Sequence, residues 1–157
     1  VSYSDIVFKP SVVEALAEAS GDIVITYDRL WSALWAARFE NPLDDAETCR
    51  VDKGRVLEIG GRPSSMADVE AQFMGLFKFS KSGWRTTREF LGALDPAIRD
   101  KLDMTSLLAR LIDAGVTVSG VPVDGGWVEV DSEADLACYE AKIATANESM
   151  PWSHDWR

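Results

Sequence analysis

Apolar residues recur along this chain at strand spacing in some stretches and at helical spacing in others, and the changes between the two mark its elements. Val1 to Val7 reads as the end of a strand and its exit loop. Pro10 to Ala19 carries helical spacing and stops at Gly21, and Asp22 to Tyr27 is a short buried strand. This opening rhythm of strand, helix and strand predicts parallel strands with covering helices. Asp28 to Phe39 places Trp31, Trp35 and Phe39 on one helical face, with Asp28 as the N-cap.

Loop formers fill Glu40 to Asp45, and Glu47 to Gly60 reads as a hairpin turning at Asp52-Lys53-Gly54. Arg62 to Asp68 is a loop. Val69 to Ser80 suits a long strand interrupted by Gly75. Helices follow at Gly83 to Leu94 and Asp103 to Ala114, the second closed by Gly115, and Val116 to Val123 is a strand. In Gly125 to Ser132, Glu129 and Asp131 alternate with Val128 and Val130, so a strand there presents both acids on one face. Ser132 to Thr145 is a helix whose Ser132 and Asp135 resemble a capping box. The tail from Asn147 to Arg157 has no periodicity, and no repeat or linker divides residues 1–157, which therefore read as one domain.

Composition narrows the class. A chain of 157 residues with 46% hydrophobic residues can bury roughly 70% of its unfolded surface as one compact body. No apolar run approaches the roughly 20 residues needed to cross a bilayer, and no signal peptide is visible, so the expected compartment is the cytoplasm. Cys49 and Cys138 lack zinc spacing and read as reduced thiols there. A net charge of −10 disfavours a nucleic-acid partner. A nucleotide remains compatible, provided a divalent cation and local arginines offset repulsion of about 4 kcal/mol per close like-charged pair at an effective dielectric of about 20.

Several residues carry candidate chemistry, each beside a plainer reading. Asp5 and Asp131, from opposite ends of the chain, could share one Mg²⁺; each alone is also an ordinary turn or cap acid. Trp31 and Trp35 are either core or an aromatic wall for a cationic head group. Arg38, Asn41, Asp44, Asp45 and Glu47 form either a solvated loop with Asx turns or a substrate-binding loop. Arg62, beside Gly60, Gly61 and Pro63, is either a surface arginine or a phosphate grip. His154, the only histidine, sits in the tail, and no buried base is evident for Ser-His-Asp chemistry.

Taken in order, the motifs resemble the nucleotidyltransferases, and within them the bacterial phosphocholine cytidylyltransferases and the similar enzymes of phosphonate pathways. The residues concerned are Tyr3-Ser4-Asp5-Ile6, Asp28 with Trp31 and Trp35, the run Arg38 to Glu47, and Glu58-Ile59-Gly60 with Arg62-Pro63. Gln72 to Leu76 and Gly126 to Asp131, with Asp135-Leu136, complete the set. The resemblance implies an α/β fold, a three-layer α/β/α sandwich with a mixed, mainly parallel, Rossmann-like sheet. It also implies an enzyme with CTP as nucleotide, Mg²⁺ as cofactor, a small phosphorylated or phosphonylated acceptor such as phosphocholine or 2-aminoethylphosphonate, and pyrophosphate as product.

By the same resemblance Asp5 and Asp131 hold the metal and Arg62 is the catalytic cation on the phosphate side. Asp28, Trp31, Trp35, Arg38, Asn41, Asp45, Glu47, Gln72, Trp127 and Glu129 line the substrate pocket. The family's Gly-rich loop, with its arginine and later lysine, has no counterpart. The chain therefore matches the C-terminal part of the family's domain, its nucleotide-binding strands are expected to be missing, and it should be inactive alone and either self-associate or take up an N-terminal half. Two other readings stay open: a non-catalytic binding or assembly module, and a sugar-1-phosphate nucleotidyltransferase. A choline-like cation on the tryptophans and a primary amine on Asp28, Asp45 or Glu47 both suit the acceptor pattern.

Overall fold

The computed structural model describes all 157 residues. At its centre lies β2 (Ile23–Asp28), whose alternating side chains feed two cores: Val24 points into one, Ile23 and Ile25 into the other. Five strands form the main sheet in the order β3-β4-β6-β2-β5, where β3 is Thr48–Asp52, β4 Arg55–Gly61, β5 Gln72–Phe79 and β6 Ser119–Val123. On one face pack α1 (Pro10–Glu18), α2 (Trp31–Arg38) and α6 (Glu133–Thr145). Against the other lie α3 (Lys81–Ala93) and α5 (Met104–Asp113), while the short α4 (Pro96–Arg99) joins them. The three-layer α/β arrangement expected from the sequence is therefore present.

The sheet is mixed, but parallel only between β2 and β6. That corrects the expectation of a mainly parallel sheet. The Lys53-Gly54 turn, with φ of 48° and 76°, can only close an antiparallel hairpin, and β5 returns antiparallel along β2.

A separate two-stranded ribbon joins the ends of the chain: β1 (Ile6–Phe8) pairs antiparallel with β7 (Trp127–Glu129) in the register Ile6 to Glu129 and Phe8 to Trp127. Hydrogen bonds from Lys9 N to Gly126 O and from Val130 N to Asp5 O extend the pairing at both ends. The shorter helix α2 begins at Trp31 rather than Asp28, and α6 begins after Ser132, with Ser132 and Asp135 making the reciprocal bonds of a capping box. The tail is not the irregular appendage its lack of pattern suggests. Trp152 and Trp156 pack on Tyr139, and His154 is fully buried.

Ahead of β1, Val1 to Tyr3 runs along the free edge of β5, exchanging hydrogen bonds with Phe77 and Gly75. Gly75 makes this possible: its φ is +73°, and a Cβ there would lie 2.5 Å from the Tyr3 ring. Gly75→Ala is expected to cost about 1–3 kcal/mol through strain and displacement of Tyr3. Urea unfolding monitored by circular dichroism measures it, and a loss below about 0.5 kcal/mol would contradict this packing.

Candidate functional site

The ribbon register decides where the acids go. Because β1 and β7 pair end to end, Asp5 meets Glu129 and Asp131, and one carboxylate oxygen from each lies within 4.8 Å of the others. Asp5 and Asp131 are exposed, whereas Glu129 is half-buried. Burial first, then repulsion from Asp131 and Asp5, pushes the Glu129 carboxyl above its usual range despite the opposing pull of Arg38.

Arg38 comes from the last turn of α2, with a side chain only 1% exposed. Its guanidinium donates to Glu129 (3.0 Å), Asp131 (2.5 Å) and Asp135 (3.0 Å). Burial disfavours this charge, but the carboxylates, Asp135 foremost, outweigh it and raise the arginine's pKa. Asp135 also accepts from the backbone of Asp131 and Ser132, so it fixes the start of α6 and the guanidinium together. Such planar, multiply bonded geometry is specific to arginine.

A second feature is a recess of about 230 Å³ between the loop after α2 and the end of β4. Asp44, Asp45, Glu47 and Arg62 give it both signs of charge. Asn41 shapes its rim: its Oδ1 accepts from Leu43 N (3.3 Å) and its Nδ2 donates to Asp44 (2.7 Å), an Asx turn in front of a 3-10 turn at Pro42–Asp44. Gln72, buried on β5, clamps the Glu47 backbone by donating to its O and accepting from its N. Desolvation, with repulsion from Asp103 and Asp45, raises the carboxyl of Glu47, a residue that lines the recess. Burial likewise raises the Tyr3 phenol, with further upward pressure from Asp103, Glu47 and Glu129.

The structure brings together Asp5, Glu129, Asp131 and Arg38 in one cluster and Asp45, Glu47 and Arg62 in another. It withdraws five residues from direct contact with a ligand, Asp28 among them. Trp31 and Trp35 are 4% and 3% exposed and pack edge to face with each other, with Trp35 tilted against Trp127, so they are core and not a wall for a cation. Gln72 and Trp127 are likewise buried, their polar atoms already bonded within the protein.

Asp28 is the clearest change of role. It is fully buried, and its carboxylate accepts from Leu30 N (2.8 Å), Gly125 N (3.0 Å), Trp127 Nε1 (3.0 Å) and His154 Nε2 (2.8 Å), which leaves nothing for an ammonium ligand. Burial alone would raise its pKa. Hydrogen bonds from His154, Trp127, Gly125 and Leu30 together hold it below the ordinary value. A buried imidazole is therefore present after all, engaged with a carboxylate. Only its setting between two tryptophans, in Trp152-Ser153-His154-Asp155-Trp156, hinted at burial.

No protein-family model matches the chain. It is 37% identical over 142 residues to the CTP:phosphoglutamine cytidylyltransferase of Campylobacter jejuni, an alignment covering 87% of this chain and 56% of that protein. Among solved structures, the inositol-1-phosphate CTP transferase from T. maritima superposes with a TM-score of 0.57 at 19% identity, over 93% of this chain and 56% of the other. A Bacillus anthracis structure described as a glucose-1-phosphate thymidylyltransferase gives a TM-score of 0.60 at 15% identity, over 91% and 53%. The chain spans about half the length of the relatives it matches. The resemblance read from the motifs is thereby borne out: in sequence and in fold this chain is similar to the nucleotidyltransferases, over about half of their length.

Proposed function

We propose that the chain supplies the metal-binding and acceptor side of a cytidylyltransferase that transfers CMP from CTP to a small phosphorylated acceptor. The observation that carries this reading is the convergence of Asp5, Glu129 and Asp131, three hard oxygen donors at or just beyond one end of two paired strands, in a chain similar to a named cytidylyltransferase. Oxygen-only, carboxylate-rich donors suit Mg²⁺. Asp5 and Asp131, both open to solvent, would hold it, with Glu129 beside them. Bound there, Mg²⁺ would neutralise the nucleotide phosphates as charge shifts to the leaving group.

Arg62 in the recess would grip the acceptor phosphate, whose oxygen forms the new bond to the α-phosphorus as the bond to pyrophosphate breaks. The acids across the recess, Asp44, Asp45 and Glu47, suit an ammonium on the same acceptor. That supports a compact zwitterion, such as the phosphoglutamine in the relative's name, over a quaternary cation that needs exposed rings.

In the full-length protein, CTP and Mg²⁺ with phosphoglutamine, phosphocholine or 2-aminoethylphosphonate should release pyrophosphate fastest with a primary-amine acceptor. Asp131→Asn should slow release by about 100-fold or more. No release with any NTP and acceptor pair, or release untouched by Asp131→Asn, would sink the proposal.

The raised Glu129 pKa sets the acid limb. Folded Glu129 holds its proton more tightly than the unfolded chain does, so its contribution to stability is lost as pH rises through the window from the ordinary glutamate value to the raised one. The same proton competes with a cation. Activity at limiting Mg²⁺ should therefore begin to fall at a higher pH than an ordinary glutamate, with pKa about 4.3, would give, and Glu129→Gln should move that limb in a pH-rate profile.

Arg38 and a cation compensate the same acids. Arg38→Met leaves Asp135 and its neighbours without their counter-charge and should cost about 3–5 kcal/mol. Added Mg²⁺ should raise the variant's Tm by more than it raises that of the parent, because binding to the folded state alone stabilises by mass action. Equal increments in a thermal-shift titration would contradict a shared site.

A further inference from the structure

Beyond the trio itself, the unexpected feature is how the tail touches the strand that bears it. Ser153 O accepts from Gly126 N (2.8 Å), and a Cβ on Gly125 would lie 2.1 Å from that same oxygen, so the tail backbone is pressed against a turn that only glycine allows. One residue on, His154 Nε2 meets Asp28 at 2.8 Å; a carboxylate only accepts, so Nε2 carries the hydrogen, with Nδ1 facing Ser153 Oγ at 2.9 Å. Trp152 stacks on Tyr139, with ring centroids 5.7 Å apart, and Tyr139 Oη donates to Glu129 O at 2.7 Å. The tail therefore grips β7 at its start, through Gly126, and at its end, through Tyr139 and Glu129.

Asp28 completes the circuit. Its carboxylate ties the first turn of α2, through Leu30, to Gly125 and Trp127 on the β7 side. At the other end of that rigid helix, Arg38 holds Glu129 and Asp131. The alignment of α2 with β7 is thus set at one end by Asp28 and read out at the other by Arg38.

We infer that His154 is a positioning residue: through Asp28 and the docked tail it sets the alignment of α2 with β7, and hence the geometry of Arg38, Glu129 and Asp131. This rests on the proposed metal reading for its functional meaning but not for its geometry. His154→Leu removes the donor to Asp28, whereas His154→Gln keeps a neutral N–H near the same place. Trp127→Phe removes a different donor to the same carboxylate and keeps a ring in the core, a milder variant should His154→Leu fail to fold.

Two readouts at a temperature well below unfolding separate positioning from bulk stability. One is hydrogen-exchange protection of the Arg38 Nε–H by NMR; the other is Mn²⁺ affinity by paramagnetic titration, with Asp131→Ala as the metal control. Expected are losses of about tenfold in both for His154→Leu or Trp127→Phe, recovery to within about threefold of the parent in His154→Gln, and no specific Mn²⁺ binding in Asp131→Ala. If His154→Leu and Trp127→Phe lower Tm but leave the Arg38 protection at its parental level, the tail is only a structural strap and the inference is overturned. If the parent chain binds Mn²⁺ no better than Asp131→Ala, the metal reading fails, while the Arg38 protection still decides the role of His154.

Discussion

A buried carboxylate needs a full set of donors, and this requirement at Asp28 organises the molecule. Leaving it unpaired would cost several kcal/mol, so its neighbours must come to it. The donors it recruits come from four places in the chain: the start of α2, the turn after β6, strand β7 and the tail. Because those bonds hold Asp28 below the ordinary aspartate value, its contribution to stability is complete above that value and is lost as pH falls through the lowered one. The main sheet, the β1–β7 ribbon and the tail are thereby joined at a single point.

Function is built at the other end of the same elements. Three acids that repel one another are held together by strand register, and a buried arginine offsets their charge from behind. This arrangement is strained electrostatically without being distorted: Glu129 is pushed toward its protonated form while Asp135, with better partners, is held ionised. A cation would relieve the trio from the solvent side. The recess with Arg62, Asp45 and Glu47 offers opposite charges in a second place, and Tyr3 packs over Gly75.

Much of the architecture was legible locally. The short apolar run at Asp22 to Tyr27, the Lys53-Gly54 turn, the Ser132-Asp135 cap and the helical spacing of Asp103 to Ala114 each dictate an element through backbone and side-chain geometry within a few residues. The pairing of strands was less so. Antiparallel β5 and the separate β1–β7 ribbon depend on partners more than forty residues apart, and no local signal encodes such pairing.

For the site, residue type alone left each candidate between two roles, and burial chose. Trp31 and Trp35 had the spacing of a core stripe and became core. Asp28 looked like a cap acid or a ligand for an ammonium, and became the hub of a buried network because Trp127 and His154 fold over it. His154 had only the two flanking tryptophans to hint at burial. The sequence by itself determined the elements, the acids at the tip of β7 and the family likeness, since these rest on short-range periodicity and ordered motifs. Only the tertiary structure decided which acids face one another, which arginine compensates them and that the tail closes over Asp28. Those outcomes depend on distances across strands and helices that are far apart in the chain.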